Sequence, residues 1–310
     1  MKAAGFSTFG GPEVLDLIEV PAPQAGPGQV RVRVKAAGVQ PFDIGIRQGW
    51  APPSIDPTLP RIPGNEFSGL VDQVGDGVTG FPTGTPVLGY SLLGSYAEYV
   101  VVPADQIVVK PEVLPWEMAG GFSGNAQGAH MALEAMTIRP GDTVLVHGAA
   151  GGLGTFAVQL ARAWGATAVI GTASEANHDY LRAIGAIPVA YGDGLLDRLR
   201  AVAPDGADAA LDAAGPEALY ASVELVKDRN RIRTMVSDEA AEELGIPALG
   251  PGRSAARLGE MVDLYTQDKF KLHVRHAYPL AEAAAAHRDV ESGHGRGKIV
   301  LLADDTGNTR

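Results

Sequence analysis

The chain has 310 residues, a hydrophobic content of 45%, a charged content of 20% and a formal net charge of −11. This size predicts two domains with an ample buried core, and the acidic balance without a Lys/Arg cluster excludes nucleic acid as a main partner. The sequence contains no cysteine, which excludes disulfides, a thiolate nucleophile, iron–sulfur clusters and cysteine-ligated zinc.

The sequence gives no sign of a membrane span or of a secretion signal. Its apolar runs are too short to span a bilayer, and the start MKAAGFSTFG lacks the apolar segment of a signal peptide. We therefore expect a cytoplasmic protein. The seven histidines are scattered along the chain, and their spacing predicts no metal site.

The first third of the chain has the pattern of a small β-rich domain. Val30–Val34 alternates apolar and charged residues, and further strands are predicted at Leu70–Val74, Tyr99–Val102 and Ile107–Val109. Gly and Pro residues punctuate these short strands heavily, as they do in β-rich domains.

From Asn125 onward strands alternate with helices, which is the pattern of a parallel α/β sheet. The predicted strands are Thr143–His147, Ala168–Gly171, Pro188–Ala190, Ala209–Asp212, Ile232–Val236 and a short one near Pro247–Leu249. The predicted helices between them include Leu195–Ala203, Glu217–Val226 and Ala255–Gln267. After Lys271 a period-two pattern returns, followed by a helix from Leu280 to about Glu291, a strand Lys298–Leu302 and a polar tail, Asp304–Arg310, that we expect to be disordered.

The segment Thr143–Ala163 carries the main functional signal. A β-branched apolar run stops at a small-residue turn, Gly148–Gly154, and an amphipathic helical pattern follows. Strand, glycine turn and helix in this order form a dinucleotide fingerprint, in which Gly151 lets the backbone approach a pyrophosphate and Gly154 lets the helix pack on the strand. The free amides and positive dipole end of the helix then favour phosphates. Ala149 replaces the first glycine of the common pattern, so a tight turn without a ligand is the alternative.

The end of the following strand favours NADPH over NADH. An acidic side chain at this place hydrogen-bonds the ribose hydroxyls of NAD and repels a 2′-phosphate. Here the strand ends in small neutral residues, and Ser174 and Asn177 are able to donate to a phosphate oxygen. Glu175 lies one residue beyond the usual acidic position and keeps NADH open, although its charge also suits the first turn of a helix.

Six segments have a specific pattern when they are taken together: Lys35–Gly49, Pro63–Phe81, Gly94–Val102, Ile138–Ala166, Leu211–Gly215 and Gly297–Leu302. The chain resembles, over nearly its whole length, zinc-free members of the medium-chain dehydrogenase/reductase superfamily, close to the NADPH-dependent quinone oxidoreductases. The resemblance implies an α/β fold, with a Rossmann doubly wound parallel sheet inserted into a GroES-like, partly open β-barrel. We place the GroES-like domain at 1–124 plus 270–310 and the Rossmann NADPH-binding domain at 125–269.

The resemblance also implies a set of residues that bind NADPH. They are Gly128, Ala150, Gly151, Gly152, Leu153, Ser174, Asn177, Tyr191, Ala214, Met235 and Val236. By this resemblance, four of them line the nicotinamide: Gly128, Ala214, Met235 and Val236. Residues 150–153 form the pyrophosphate turn, and Ser174 and Tyr191 lie at the 2′-phosphate. Asn177 departs from the lysine often found there, and Gly128 from the threonine that relatives commonly have.

Zinc-dependent relatives place a cysteine where this chain has Gln40 and a histidine where it has Asn65, so the resemblance implies a site without metal. The preferred hypothesis is hydride transfer from NADPH to a quinone or another electron-poor carbonyl or alkene. Gln40 and Asn65 are the candidate hydrogen-bond donors to the acceptor oxygen, which gains negative charge. Arg47 is a more distant candidate, with a contact to Asp43 or to the backbone as its alternative role.

Other assignments remain open at this stage. Tyr90 and Tyr96 are candidate proton donors, with a purely structural role in the sheet as the alternative and solvent as another proton source. An enone or enoyl reductase of the same superfamily and a non-catalytic NADPH-binding sensor or structural protein are the rival functions, whereas an alcohol dehydrogenase lacks a metal to polarise the alcohol. We also expect a homodimer that pairs through the predicted edge strand near Pro247–Leu249.

Overall fold

Short alternating or β-branched segments form the strands of the computed structural model, which describes residues 1–250, 252–293 and 295–303. The strands are β1 (Lys2–Gly5), β2 (Asp16–Glu19), β3 (Gln29–Val39), β4 (Glu66–Val74), β5 (Pro86–Tyr90), β6 (Tyr99–Pro103), β7 (Ile107–Val109), β8 (Thr143–Val146), β9 (Ala168–Ala173), β10 (Ile187–Ala190), β11 (Ala209–Asp212), β12 (Ile232–Thr234), β13 (Val274–Pro279) and β14 (Lys298–Leu302). The polar tail Asp304–Arg310, expected to be disordered, lies outside the described residues.

The α-helices lie mostly after Pro115 and alternate with the later strands. They are α1 (Pro41–Gln48), α2 (Trp116–Gly120), α3 (Ser123–Ala135), α4 (Gly152–Ala163), α5 (His178–Ala183), α6 (Leu195–Val202), α7 (Pro216–Leu225), α8 (Asp238–Leu244), α9 (Ala255–Thr266) and α10 (Ala283–Glu291). Over the described residues, every helix is too short or too polar to cross a membrane.

One compact unit is β-rich and comprises Met1–Gly124, Ser254–Thr266 and the described residues from His273 onward. Its main sheet has the order β13-β14-β3-β4-β5-β7, with β6 also paired to β3. The long strand β3 pairs with three neighbours, and register shifts against β4 mark bulges that bend it. Its inward apolar residues, such as Val32 and Val34, pack with Phe67 and Ile299 in one core. This is the GroES-like part of the fold.

The other unit, Asn125–Arg253 with Gln267–Leu272, is built on a parallel sheet. In the described part of the chain this sheet has five strands in the order β10-β9-β8-β11-β12. Leu145, Ile170 and Leu219 lie in its core. The strand order reverses between β8 and β11, and in such Rossmann sheets ligands bind beyond the carboxyl ends of the strands at that point. The predicted fold class is confirmed.

The structure differs from the sequence-based expectation at the far edge of this sheet. The strand expected near Pro247–Leu249 is wrong, because these residues form no strand, and proline has no N–H to donate to a ladder. The homodimer expected through that strand therefore stays a prediction without this support. Helix α9 lies within the range predicted for the Rossmann domain, 125–269, but in the structure it belongs to the β-rich unit.

Strand β12 also ends earlier than expected, at Thr234 instead of Val236. The Thr234 hydroxyl accepts hydrogen bonds from the N–H groups of Val236 and Ser237. These N–H groups are therefore turned toward a side chain and not toward a strand ladder, which ends the strand.

Candidate nucleotide surface and amide pair

The glycine turn between β8 and α4 is built for close backbone approach. A Cβ at Gly154 would lie 2.3 Å from the carbonyl oxygen of Gly148, and a Cβ at Gly148 would lie 2.7 Å from the carbonyl oxygen of Ala213. Gly148 also has a φ of 69°, in the left-handed region that glycine adopts without strain. Only glycine fits at these two positions, so the turn passes directly over the ends of β8 and β11.

The start of α4 presents backbone donors that the helix itself does not use. Gly151 is the N-cap, and the first intrahelical bond runs from the Thr155 N–H to the Gly151 carbonyl. The N–H groups of Gly152, Leu153 and Gly154 consequently have no acceptor within the helix. The positive end of the helix dipole lies at the same place. Two of these residues, Gly152 and Leu153, belong to the predicted pyrophosphate turn 150–153, and that role stays a prediction.

Buried polar contacts from strand β9 hold the glycine turn in place. Thr172 on β9 accepts the Ala149 N–H with its carbonyl oxygen at 3.0 Å and the Gly148 N–H with its hydroxyl oxygen at 3.3 Å. The same hydroxyl contacts Nδ1 of the fully buried His147 at 3.1 Å. Burial lowers the pKa of His147 to about 4, so this histidine is neutral at neutral pH. It supports the turn as an uncharged group.

The end of β9 brings Ser174 and Asn177 together. The Asn177 Nδ2 donates to Ser174 Oγ at 3.1 Å, and both residues are half-buried. Tyr191, which follows β10, is 58% exposed. The loop that carries it is held by Arg198, whose guanidinium donates to the carbonyl oxygens of residues 190–193. A hydroxyl, an amide and an exposed aromatic ring thus stand at the two strand ends where the sequence predicts a 2′-phosphate.

The residues expected at the nicotinamide also fall into groups. A Cβ at Gly128 on α3 would lie 2.9 Å from Leu153 Cδ1 and 3.5 Å from Met235 Cε, so these three predicted residues are neighbours. Ala214 follows β11 and is exposed, and Met235 and Val236 follow β12 and are 38% and 50% exposed. A threonine at position 128 would require only the end of the Leu153 side chain to move.

The two candidate polar residues of the β-rich unit form a direct pair. Gln40, the N-cap of α1, donates from Nε2 to Asn65 Oδ1 at 2.9 Å, and the two side chains are 9% and 6% exposed. An amide nitrogen carries two hydrogens, so Gln40 keeps a second N–H beyond the one given to Asn65. The structure thus brings the two candidate donors together, and their role at an acceptor oxygen stays a prediction.

Gly124 and a buried ion pair fix the surroundings of the amide pair. A Cβ at Gly124 would lie 2.0 Å from Gln40 Nε2, so glycine is required for the side chain of Gln40 to lie there. The Gly124 N–H donates to Glu66 Oε2 at 2.7 Å, and Lys298 Nζ donates to Glu66 Oε1 at 2.7 Å. Glu66 and Lys298 are both buried, and their pairing offsets the cost of burying either charge.

A second buried network lies behind the N-terminus of α1. The Asp43 carboxyl accepts the backbone N–H groups of Gln40 and Gly64 and the hydroxyl of Tyr96, which lies 3.1 Å away. Burial raises the pKa of Asp43 to about 7, and the hydrogen bonds from Gln40 and Tyr96 limit the rise. His287 Nε2 lies 3.3 Å from the Tyr96 hydroxyl, and burial, with Arg47 as a smaller cause, lowers the pKa of His287 to about 3.

These contacts bear on the roles that the sequence left open for Tyr96, Tyr90 and Arg47. Tyr96 is fully buried and its hydroxyl is committed to Asp43, which favours a structural role. Tyr90 is also buried, with 7% exposure, at the end of β5. Arg47 is fully buried and pairs with Glu291 on α10, and not with Asp43. Asp43 accepts backbone N–H groups instead.

Comparison with known proteins agrees with this architecture. Residues 26–112 match the family model described as an alcohol dehydrogenase GroES-like domain, and residues 184–301 match one described as a zinc-binding dehydrogenase. A quinone oxidoreductase of Mus musculus is 32% identical over 330 residues, covering 97% of this chain and 98% of the relative. The chain belongs to the medium-chain dehydrogenase/reductase superfamily, and it is an oxidoreductase of that superfamily.

Two further comparisons describe the range of its relatives. A synaptic vesicle membrane protein VAT-1 homolog of Rattus norvegicus is 36% identical over 231 residues, which span 73% of this chain but only 57% of that relative. The crystal structure of an Escherichia coli quinone oxidoreductase complexed with NADPH superposes with a TM-score of 0.86 at 26% identity, covering 97% of this chain and 100% of that one. The solved structure named here therefore shares the whole fold.

The sequence analysis missed the buried or partly buried residues that support the glycine turn, the loop of Tyr191 and the surroundings of Gln40. Thr172, Arg198, Glu66 and Lys298 make their contacts through side chains that meet only in the folded chain. A weak signal was available for Glu66 and Lys298, because they belong to the segments Pro63–Phe81 and Gly297–Leu302 that carry part of the family resemblance. No local pattern marks the partners of the other two.

Proposed function

We propose that this protein is an NADPH-dependent reductase that transfers hydride, without zinc, to a quinone or another electron-poor carbonyl or alkene acceptor. The observation that carries the proposal is the buried amide pair of Gln40 and Asn65. Zinc sites in proteins use thiolate, imidazole and carboxylate ligands, and two neutral carboxamides are a donor set for an oxygen atom instead.

The cofactor assignment rests on the nucleotide surface. The unused N–H groups at the start of α4 suit the pyrophosphate, and Ser174 with Asn177 suits a 2′-phosphate. The E. coli quinone oxidoreductase that shares the fold was crystallised with NADPH, which supports the same cofactor here. When bound, NADPH supplies the hydride.

The protein contributes hydrogen bonding and exclusion of water. As an acceptor such as a quinone takes up a hydride, negative charge grows on its oxygen, and a preorganised N–H donor stabilises that charge. We assign this role to the second Nε2–H of Gln40, which Asn65 orients by accepting the first one. Because Tyr96 is committed to Asp43, the proton that completes the reduction is assigned to solvent.

The test is NADPH oxidation by the purified protein with a panel of benzoquinones, naphthoquinones, enones and enoyl thioesters. Quinone-dependent turnover that survives chelators and metal-free buffer supports the proposal. Turnover confined to alkenes would make the protein an alkene reductase, and turnover that needs added zinc would overturn the metal-free mechanism. NADPH binding, seen as a raised melting temperature, without turnover on any acceptor would instead support a sensor or structural role.

A further inference from the structure

One buried carboxyl group ties together the two loops that follow β11 and β12. Asp212, the last residue of β11, is fully buried. Its Oδ1 accepts the N–H groups of Ala214 at 2.8 Å and Gly215 at 2.9 Å, within the loop that leads to α7. A single oxygen therefore fixes the loop 213–215.

The second oxygen of Asp212 reaches the neighbouring loop. Its Oδ2 accepts the hydroxyls of Thr234 and Ser237, each at 2.7 Å. Thr234 lies directly opposite Asp212 in the parallel register of β11 and β12. The Thr234 hydroxyl in turn accepts the N–H groups of Val236 and Ser237 at 3.1 and 2.9 Å, so the loop 235–237 is fixed by the same carboxyl group.

The exposed side of these loops contrasts with their buried polar base. Asp212, Thr234 and Ser237 are at most 8% exposed, whereas Met235 and Val236 are 38% and 50% exposed. Large apolar side chains are thus presented at the carboxyl edge of the sheet, on loops in which three backbone N–H groups and two hydroxyl groups donate to Asp212. Such a rigid apolar edge is where ligands of this fold bind.

We propose that Asp212 is a positioning residue that sets the place of the nicotinamide half of the cofactor by coupling the loops 213–215 and 235–237. This inference rests on the proposed NADPH-dependent function. It assigns no role in the pyrophosphate or 2′-phosphate contacts, because the network of Asp212, Thr234 and Ser237 makes no hydrogen bond to Ser174, Asn177 or the start of α4 among the described residues.

The chemistry of the network predicts what an isosteric change would do. In Asp212→Asn the remaining oxygen can still accept the N–H groups of Ala214 and Gly215. The new NH2 group, however, faces two hydroxyl donors, and the Thr234 hydroxyl already accepts two N–H groups and has no capacity for a third. The Ser237 hydroxyl can reverse its role and accept from the NH2 group, so the bond between Asp212 and Thr234 is the one that is lost. The loop 235–237 is then held to Asp212 less firmly, although the Met235 N–H keeps its bond to the Asp212 backbone carbonyl, while the loop 213–215 keeps both of its bonds.

The experiment compares two ligands by calorimetry: NADPH, and 2′-phospho-ADP-ribose, which has the same phosphates but no nicotinamide. Asp212→Asn is expected to weaken NADPH binding about tenfold and to change binding of 2′-phospho-ADP-ribose by less than about twofold. Ser237→Ala removes one donor to the same carboxyl group and is expected to give the same selectivity with about a threefold loss. It provides the answer if Asp212→Asn does not fold.

Ser222→Ala is the matched control, because it also removes a buried serine hydroxyl of this unit, one that bonds only the Ala218 carbonyl within α7. It is expected to leave both affinities unchanged. Equal weakening of both ligands in Asp212→Asn and Ser237→Ala, or no weakening of either, would overturn the positioning role. If the parent protein binds neither ligand, the proposed function itself fails, and the inference fails with it.

Discussion

The Gln40 amide donates a hydrogen bond to the Asn65 carboxamide oxygen across 2.9 Å, with both side chains at least nine-tenths buried. Each amide thereby restricts the rotation of the other, and the remaining N–H of Gln40 has a defined direction. A donor that is oriented before the reaction needs no reorganisation as charge develops, which is the property that makes such groups effective.

Replacing this donor should lower turnover more than cofactor binding. Gln40→Met keeps the approximate volume but removes the N–H, and we expect kcat/KM for a quinone to fall about 10- to 100-fold with the affinity for NADPH unchanged. Steady-state kinetics with calorimetry of NADPH binding measures both. Gln48→Met at the exposed end of α1 is the control and should retain full activity; an unaltered kcat/KM in Gln40→Met would remove this residue from the reaction.

Gly124 should be as important for this amide as Gln40 itself. In Gly124→Ala the new Cβ would lie 2.0 Å from Gln40 Nε2, so the side chain must leave its place, and we expect a loss of kcat/KM comparable to that of Gln40→Met. A lower melting temperature should accompany it, and adding Gln40→Ala should restore much of that temperature because the clash is gone. Gly259→Ala on α9, where a Cβ meets nothing within 4 Å, should not lower stability.

The preference for NADPH should respond to charge beside Ser174. Asn177→Lys places a cation where the amide now contacts the Ser174 hydroxyl, and we expect NADPH to bind about fivefold more tightly with NADH unaffected. The gain should shrink as salt is added, because an exposed charge pair is screened. Asn230→Lys changes the net charge equally at an exposed site of the same unit; an equal gain there would show that only overall charge had acted.

The buried imidazole of His287 should make acid destabilising. Burial lowers its pKa from 6.5 to about 3, so between these values the unfolded chain binds a proton that the folded chain does not. The contribution of His287 to the free energy of unfolding therefore falls as the pH drops below 6.5, by about 2 kcal/mol at pH 5. His147, whose pKa burial lowers to about 4, acts in the same direction. The buried carboxyl of Asp43, whose pKa is raised to about 7, contributes in the opposite direction over the same interval.

The measurement compares denaturant unfolding of the parent and of His287→Leu at pH 7.5 and pH 5. The variant should lose about 2 kcal/mol less than the parent over this interval. His276→Leu serves as the control, because it removes an imidazole that is exposed. Parallel pH dependence of the parent and His287→Leu would contradict the assignment.

Local pattern was sufficient for most elements of the fold. Strands β7, β11 and β14 begin and end where the sequence predicted them, since each is a short, mostly apolar run that follows a polar residue or a glycine. Helix α9 begins at the predicted residue and ends one residue earlier. The strand predicted near Pro247–Leu249 is wrong, because its residues include a proline that cannot donate to a ladder.

The candidate site was predictable only in part. The glycine turn and the strand ends with Ser174 and Asn177 follow from residues that are close in the chain, so their pattern is visible in the sequence. The contact between Asp43 and Tyr96 could not be predicted in this way, because Tyr96 lies 53 residues away in the chain and reaches Asp43 only in the folded sheet. No periodicity encodes such a contact.

By itself, the sequence determined the order of strands and helices, the backbone turn suited to a pyrophosphate and the absence of any thiol chemistry, because each depends on residue type and near neighbours. The tertiary structure decided that Gln40 meets Asn65, and that Asp212 meets Thr234 and Ser237. These hydrogen bonds depend on strand register and on the packing of segments that are distant in the chain. The same local pattern allows many arrangements, and burial of the core selects one of them.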